Sequence, residues 1–199
     1  MLPGLIDCHT HITGAPGESG DQFRRSFVDA AIMAPTYAKA TLDAGFTTIR
    51  DLGASGFVDV ALRNAINRGD IPGPRIQAAT MPISATGGHG DVNGLSPYVH
   101  FDDMSGVADG VDAIRRKIRW EVKYGADIIK VMATAGAMSE EESVEAALYT
   151  QDELNAVVDV LQVQRRRDDP LAHRQHRRDA LHGSGRTQQV SHRRLRRGD

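Results

Sequence analysis

One recurring pattern constrains this chain more than any other. A short β-branched run, a polar or glycine-rich loop, an amphipathic helix and a glycine follow one another four times between residues 1 and 164. Successive βα units of this kind pack as parallel strands with right-handed crossovers. The runs are apolar on both faces, as strands buried beneath helices must be. The pattern therefore predicts an α/β fold, either a doubly wound open sheet or a partial (β/α)8 TIM barrel of about four βα units. No Gly-x-Gly-x-x-Gly follows the first strand, which leaves the dinucleotide-binding version with little support.

The first strand is read as Gly4 to Cys8, running into His9-Thr10-His11, with a polar loop from Thr13 to Gln22. A helix is expected from Phe23 to Ala44, kinked or split at Pro35 and stopped by Gly45. The second strand is Phe46 to Arg50. Its helix places Val58, Leu62, Ala65 and Ile66 on one face, with Ser55 as the expected cap and Gly69 as the stop. The third strand is Arg75 to Ala79, followed by a long loop from Ser84 to Asp103 and a helix carrying Val111, Ile114, Ile118 and Val122. The fourth strand is Asp127 to Met132. The fourth helix opens on the capping-box spacing Thr150 to Glu153 and buries Leu154, Val157, Val158 and Leu161.

Composition matters most at residue 165. The chain of 199 residues holds 24 Lys+Arg and 26 Asp+Glu, a net charge of −2. Eleven of the basic residues are arginines within 165–199, against four acids and no lysine. That stretch also lacks Phe, Tyr, Trp, Ile and Met, so it cannot bury enough apolar surface to offset its ordering entropy. The expected domains are thus 1–164, the barrel segment, and 165–199, a disordered Arg-rich tail. The abrupt shift resembles a gene read out of frame. A basic arm for nucleic acid is the alternative, disfavoured because lysine and interleaved aromatic residues are absent.

The lone Cys8 excludes an intrachain disulfide, and no apolar run approaches the ~18 residues of a membrane helix. The opening residues lack the basic and apolar regions of a signal peptide. A cytoplasmic protein that does not enter a membrane is expected.

Three positions carry candidate chemistry. His9 and His11, two apart at a strand end, point to the same side and converge as a pair of metal ligands. Asp7 shares that face and could orient a ligand. Two solvated loop histidines are the plainer alternative. Lys130 lies in the middle of the buried run Ile128-Ile129-Lys130-Val131-Met132, where lysine needs a partner or a task. A Schiff base, a carbamate that binds metal, or a side chain snorkelling to solvent would each place it there. His89, between Gly87, Gly88 and Gly90, sits in a loop that faces substrate if the fold is a barrel. Asp51 receives no catalytic role, and His100 and the tail histidines no role at all.

Together these residues resemble the metal-dependent amidohydrolase superfamily. The matching text is Pro3-Gly4-Leu5-Ile6-Asp7-Cys8-His9-Thr10-His11, Ala44-Gly45-Phe46-Thr47-Thr48-Ile49-Arg50-Asp51-Leu52-Gly53, Gly73-Pro74-Arg75, Ala85-Thr86-Gly87-Gly88-His89-Gly90-Asp91 and Gly125-Ala126-Asp127-Ile128-Ile129-Lys130. The order is similar to the branch holding imidazolonepropionase-like proteins and Xaa-Pro or Xaa-Arg dipeptidases.

The resemblance implies a (β/α)8 barrel with a small β-sandwich and two Zn2+ ions that activate water for attack on an amide carbonyl. It implies His9 and His11 as metal ligands, Lys130 as a carboxylated bridging ligand and His89 as a substrate contact. The implied substrate is a small molecule such as a dipeptide, with a cyclic amide of the imidazolonepropionase type as the alternative.

The sequence departs from the family at both ends. It starts at the first barrel strand, and no strands carry the family's later histidines and aspartate. About half a barrel and half a metal site are expected, with little or no activity unless a second chain or copy supplies the rest. The remaining alternatives are a truncated product without enzymatic function and a binding module acting through the basic tail.

Overall fold

The computed structural model describes residues 2–14, 25–99, 106–136 and 146–168. The chain divides into a first unit, Met1–Val160, and a second, Leu161–Asp199. Of the second unit only residues 161–168, the end of a helix, are described. Most of the Arg-rich tail, 169–199, lies outside the described residues.

The first unit is built on three parallel strands in the order β1-β2-β3: β1 (Leu5–Thr10), β2 (Phe46–Asp51) and β3 (Arg75–Ala78). Helix α1 (Phe27–Asp43) joins β1 to β2, and α2 (Val58–Arg68) joins β2 to β3. Helices α3 (Gly110–Lys123) and α4 (Gln151–Asp168) follow. Ile49 of β2 and Ile76 and Ala78 of β3 form the centre of the core with Val58, Val60 and Leu62 of α2 and Ala34 and Ala38 of α1. Small residues on α1 let that helix lie close to the sheet, and removal of this apolar area from water is the main stabilising term. β1, by contrast, is the outermost of the three strands, and its Leu5 and Ile6 stay 54% and 65% exposed.

The helix ends follow local chemistry. Ser26 and Asp29 form a capping box at the start of α1, and Thr150 and Glu153 form the expected one at α4. Glu153 Oε1 also accepts the Gly110 amide at 2.8 Å, which ties the start of α3 to the start of α4. Gly69 closes α2 with φ of 81°, a left-handed cap that favours glycine.

Four details differ from the sequence expectation. Helix α1 runs unbroken through Pro35. Ser55 does not cap α2. A 3-10 turn over Ser55–Phe57 precedes the helix, Phe57 is left-handed, and the buried Asp59 carboxylate accepts the Val60 amide instead. On α4 the buried residues are Ala156, Val157 and Val160, while Val158 faces solvent.

The fourth difference concerns Asp127–Met132, which forms no continuous strand. Its amides at Asp127 and Ile128 donate to Ala78 O, and the Ile83 amide donates to Lys130 O at 2.8 Å, with a single parallel bridge at Ile83 and Val131. The reason lies in the neighbouring segment. Thr80 turns left-handed at φ of 59°, so the backbone between Ala78 and Ile83 is not extended and offers no unbroken ladder.

Candidate functional site

The site lies at the carboxyl ends of β1 and β2. His9 is within β1 and His11 follows it, and their rings stand edge to face with centroids 5.5 Å apart. Both are exposed. The His11 Nδ1 lies 3.2 Å from Gly53 O. In the tautomer that donates this bond, Nε2 keeps its lone pair, the usual way a ligating imidazole is held. Partial burial and then the charge of Lys130 hold the His9 pKa below its ordinary value, with His11 and Arg50 acting in the same direction and Asp7 opposing them. Each of these lowering influences favours the neutral imidazole, the form that ligates a metal.

Asp7 acts on the backbone. Its Oδ1 accepts the His9 amide at 2.9 Å. The charge of Lys130 acts on His9, so the two lie within electrostatic range, while the ring contact itself joins His9 and His11 alone. The segment leading to Lys130 is anchored by Asp127, whose carboxylate accepts the Ala78 amide at 3.0 Å and an Arg63 guanidinium N–H at 2.5 Å.

His89 is brought to Gly136, where an added methyl would overlap its ring. Its loop is tightly bonded. Asp91 accepts the Gly87 amide at 2.8 Å, Ser84 Oγ accepts the Gly90 amide at 3.0 Å, and Gly87 has φ of 72°. The glycines there serve close packing as well as the left-handed turn.

Sequence reasoning missed a buried acidic group beneath this surface. Asp51, Asp59 and Glu121 are all buried. Burial, reinforced by the neighbouring Asp59, pushes Asp51 up to about 8, although the Ile12 and Gly53 amides oppose this. Burial also raises Asp59 and pushes Glu121 up to about 8, with Lys117 opposing in the latter case. The Glu121 carboxylate makes a 3.7 Å ion pair with Lys117, and among the described residues the Thr80 hydroxyl makes no hydrogen bond. Alternation marked Asp51 as a strand end; nothing in the sequence signalled its complete burial.

Among the described residues no three His, Cys, Asp or Glu side chains gather closely enough to hold a metal ion. The imidazoles of His9 and His11 are donors of the right type, whereas a lysine ammonium has no lone pair to offer. Among the same residues no helix is long and apolar enough to cross a membrane.

A parallel α/β sheet with polar side chains gathered at its strand ends defines an α/β protein of the kind whose ligands bind at those ends. Residues 1–188 match the amidohydrolase family, and the chain belongs to that family. It is 32% identical to an ochratoxinase of Aspergillus niger over 176 residues, covering 80% of this chain and 36% of that protein. It is similar in structure to a Xaa-Pro dipeptidase with methionine bound in its active site, at 36% identity and a TM-score of 0.72, over 82% of this chain and 41% of that one. A prolidase complexed with N-methylphosphonate-L-proline is 32% identical with a TM-score of 0.75, over the same shares. The chain therefore spans about two fifths of the length of these solved relatives.

Proposed function

We propose that this chain carries the first part of a (β/α)8 amidohydrolase barrel, three βα units and a fourth whose strand is reduced to one bridge, and that His9, His11 and Lys130 bind a divalent cation, zinc by preference. The edge-to-face pair of His9 and His11 at one strand end carries the reading. Lys130 would serve as its carbamate, formed with carbon dioxide, whose anionic oxygens could hold the ions where an ammonium would repel them. Bound there, the metal supplies Lewis acidity and a water of lowered pKa for cleavage of a C–N amide bond.

The chain's own groups prepare that chemistry. Gly53 O orients His11, the Asp7 carboxylate holds the His9 amide, and partial burial with the neighbouring cations favours neutral His9. His89 contacts substrate from its rigid loop. The small amino-acid-like ligands named for the two peptidase relatives support a dipeptide-like substrate. Three donors do not complete a two-metal site. The proposal therefore gives the isolated chain little or no turnover unless other residues or a second chain add donors.

Equilibrium dialysis against Zn2+ tests this reading. The chain is expected to retain zinc, and His9→Ala, His11→Ala and Lys130→Met each to reduce retention at least tenfold, while chain folded by circular dichroism is recovered in every case. Retention unaffected by the two histidine variants overturns it.

A further inference from the structure

The pairing of β1 with β2 is irregular where it matters. Asp7 pairs with Ile49 and Thr10 with Asp51, so β1 advances three residues while β2 advances two. The extra residue falls within Cys8-His9. Such a bulge removes ladder hydrogen bonds and re-aims the side chains it carries.

Side chains replace the missing bonds. Arg50 Nε donates to Cys8 O at 3.1 Å, and Thr10 Oγ1 donates to Arg50 O at 3.0 Å. Asp7 Oδ1 takes the His9 amide at 2.9 Å. Regular pairing then resumes with the Leu52 amide on Thr10 O at 2.9 Å. Without these bonds the bulge could shift by one residue, which would turn His9 to the other face while His11, beyond the regular pairing at Thr10, stays in place.

We propose that Arg50 is a positioning residue for this site: with Thr10 it locks the β1 bulge and so fixes the direction of His9. The inference rests on the metal-site reading above. Neither residue touches the reacting atoms. Arg50 is an exposed strand residue whose guanidinium folds back along β1 rather than outward. Arg75 of β3, whose Nε lies 3.5 Å from Thr48 Oγ1, makes the comparable cross-strand reach away from the bulge and is the natural control.

Two measurements on the full chain test this. The first is Zn2+ affinity by competition with a chromophoric chelator. Arg50→Met is expected to weaken binding about tenfold, the low end of the range for groups that orient ligands, and Thr10→Val less, about threefold. Arg75→Met is expected to leave affinity unchanged even if it lowers the unfolding midpoint as much as Arg50→Met does.

The second measurement, amide hydrogen exchange without metal, reads the bulge directly. Arg50→Met should accelerate exchange at His9 and Leu52 about tenfold while Ile49 stays protected, and Arg75→Met should not. Wild-type zinc binding with Arg50→Met unchanged overturns this inference alone. Exchange at His9 and Leu52 that is the same in wild type and Arg50→Met overturns it whether or not zinc binds. Failure of the wild-type chain to bind zinc overturns the metal-site reading and the positioning role with it.

Discussion

Gly53 both holds His11 and must stay bare beside it. Its carbonyl oxygen lies 3.2 Å from His11 Nδ1, and a Cβ on Gly53 would stand 3.0 Å from Cε1 of the same ring and 3.0 Å from Pro82 Cγ. The same residue thus orients the imidazole by hydrogen bonding and admits it by having no side chain.

Gly53→Ala is accordingly expected to tilt the His11 ring and weaken Zn2+ binding about tenfold, with a small change in stability. Titration with zinc beside an unfolding curve checks this. Unchanged affinity would show that the ring yields without leaving its ligating position.

Asp51 makes stability depend on pH. Its folded pKa, raised to about 8 chiefly by burial, exceeds its unfolded value, so the folded state binds more protons between about pH 4 and pH 8. Its contribution is fully present below the unfolded pKa and is lost as pH rises through the folded one. Asp51→Asn, of nearly the same shape, is expected to flatten this slope and to stabilise the chain by about 1–3 kcal/mol at pH 8 relative to wild type. Urea unfolding at pH 5 and pH 8 is the measurement. Equal slopes for both proteins would place the titration elsewhere.

Asp127 joins α2, β3 and the Lys130 segment through Arg63 and the Ala78 amide. The carboxylate is 40% exposed, which screens the ion pair, so the amide bond carries more of its worth. Asp127→Ala is expected to cost about 1–2 kcal/mol in urea unfolding. An unchanged midpoint would mean that backbone pairing alone places Lys130.

Thr80 combines a left-handed backbone, costly for a β-branched residue, with a buried hydroxyl that has no partner among the described residues. Thr80→Gly relieves both and is expected to raise stability by about 1 kcal/mol after the entropy of glycine is counted. Thermal unfolding decides it. A lower midpoint would show that the hydroxyl or the methyl is held by a contact worth more than the strain.

Much of this fold was legible in the chain. Short β-branched apolar runs placed β1, β2 and β3 to within about two residues, and Thr150, Glu153 and Gly69 marked helix ends by local chemistry that tertiary contacts do not override. The convergence of His9 and His11 followed from the two-residue period of a strand. What failed depended on remote partners. The run Asp127–Met132 has strand composition, but a strand also needs an extended neighbour, and Thr80 denies it one. Ser55 was a plausible cap until the buried Asp59 carboxylate took over the start of α2. Asp51 and Glu121 looked like ordinary acids because burial is a property of the packed unit, not of the residue.

The outer position of β1 has a kinetic consequence. A strand with Leu5 and Ile6 exposed and, among the described residues, no strand beyond it on one side is a template for any still-unfolded chain that reaches it. Collision between two chains is second order and folding of one is first order. Recovery from denaturant should then fall as chains are made more concentrated, and dilution, rather than a change of salt or temperature, should be the condition that restores yield.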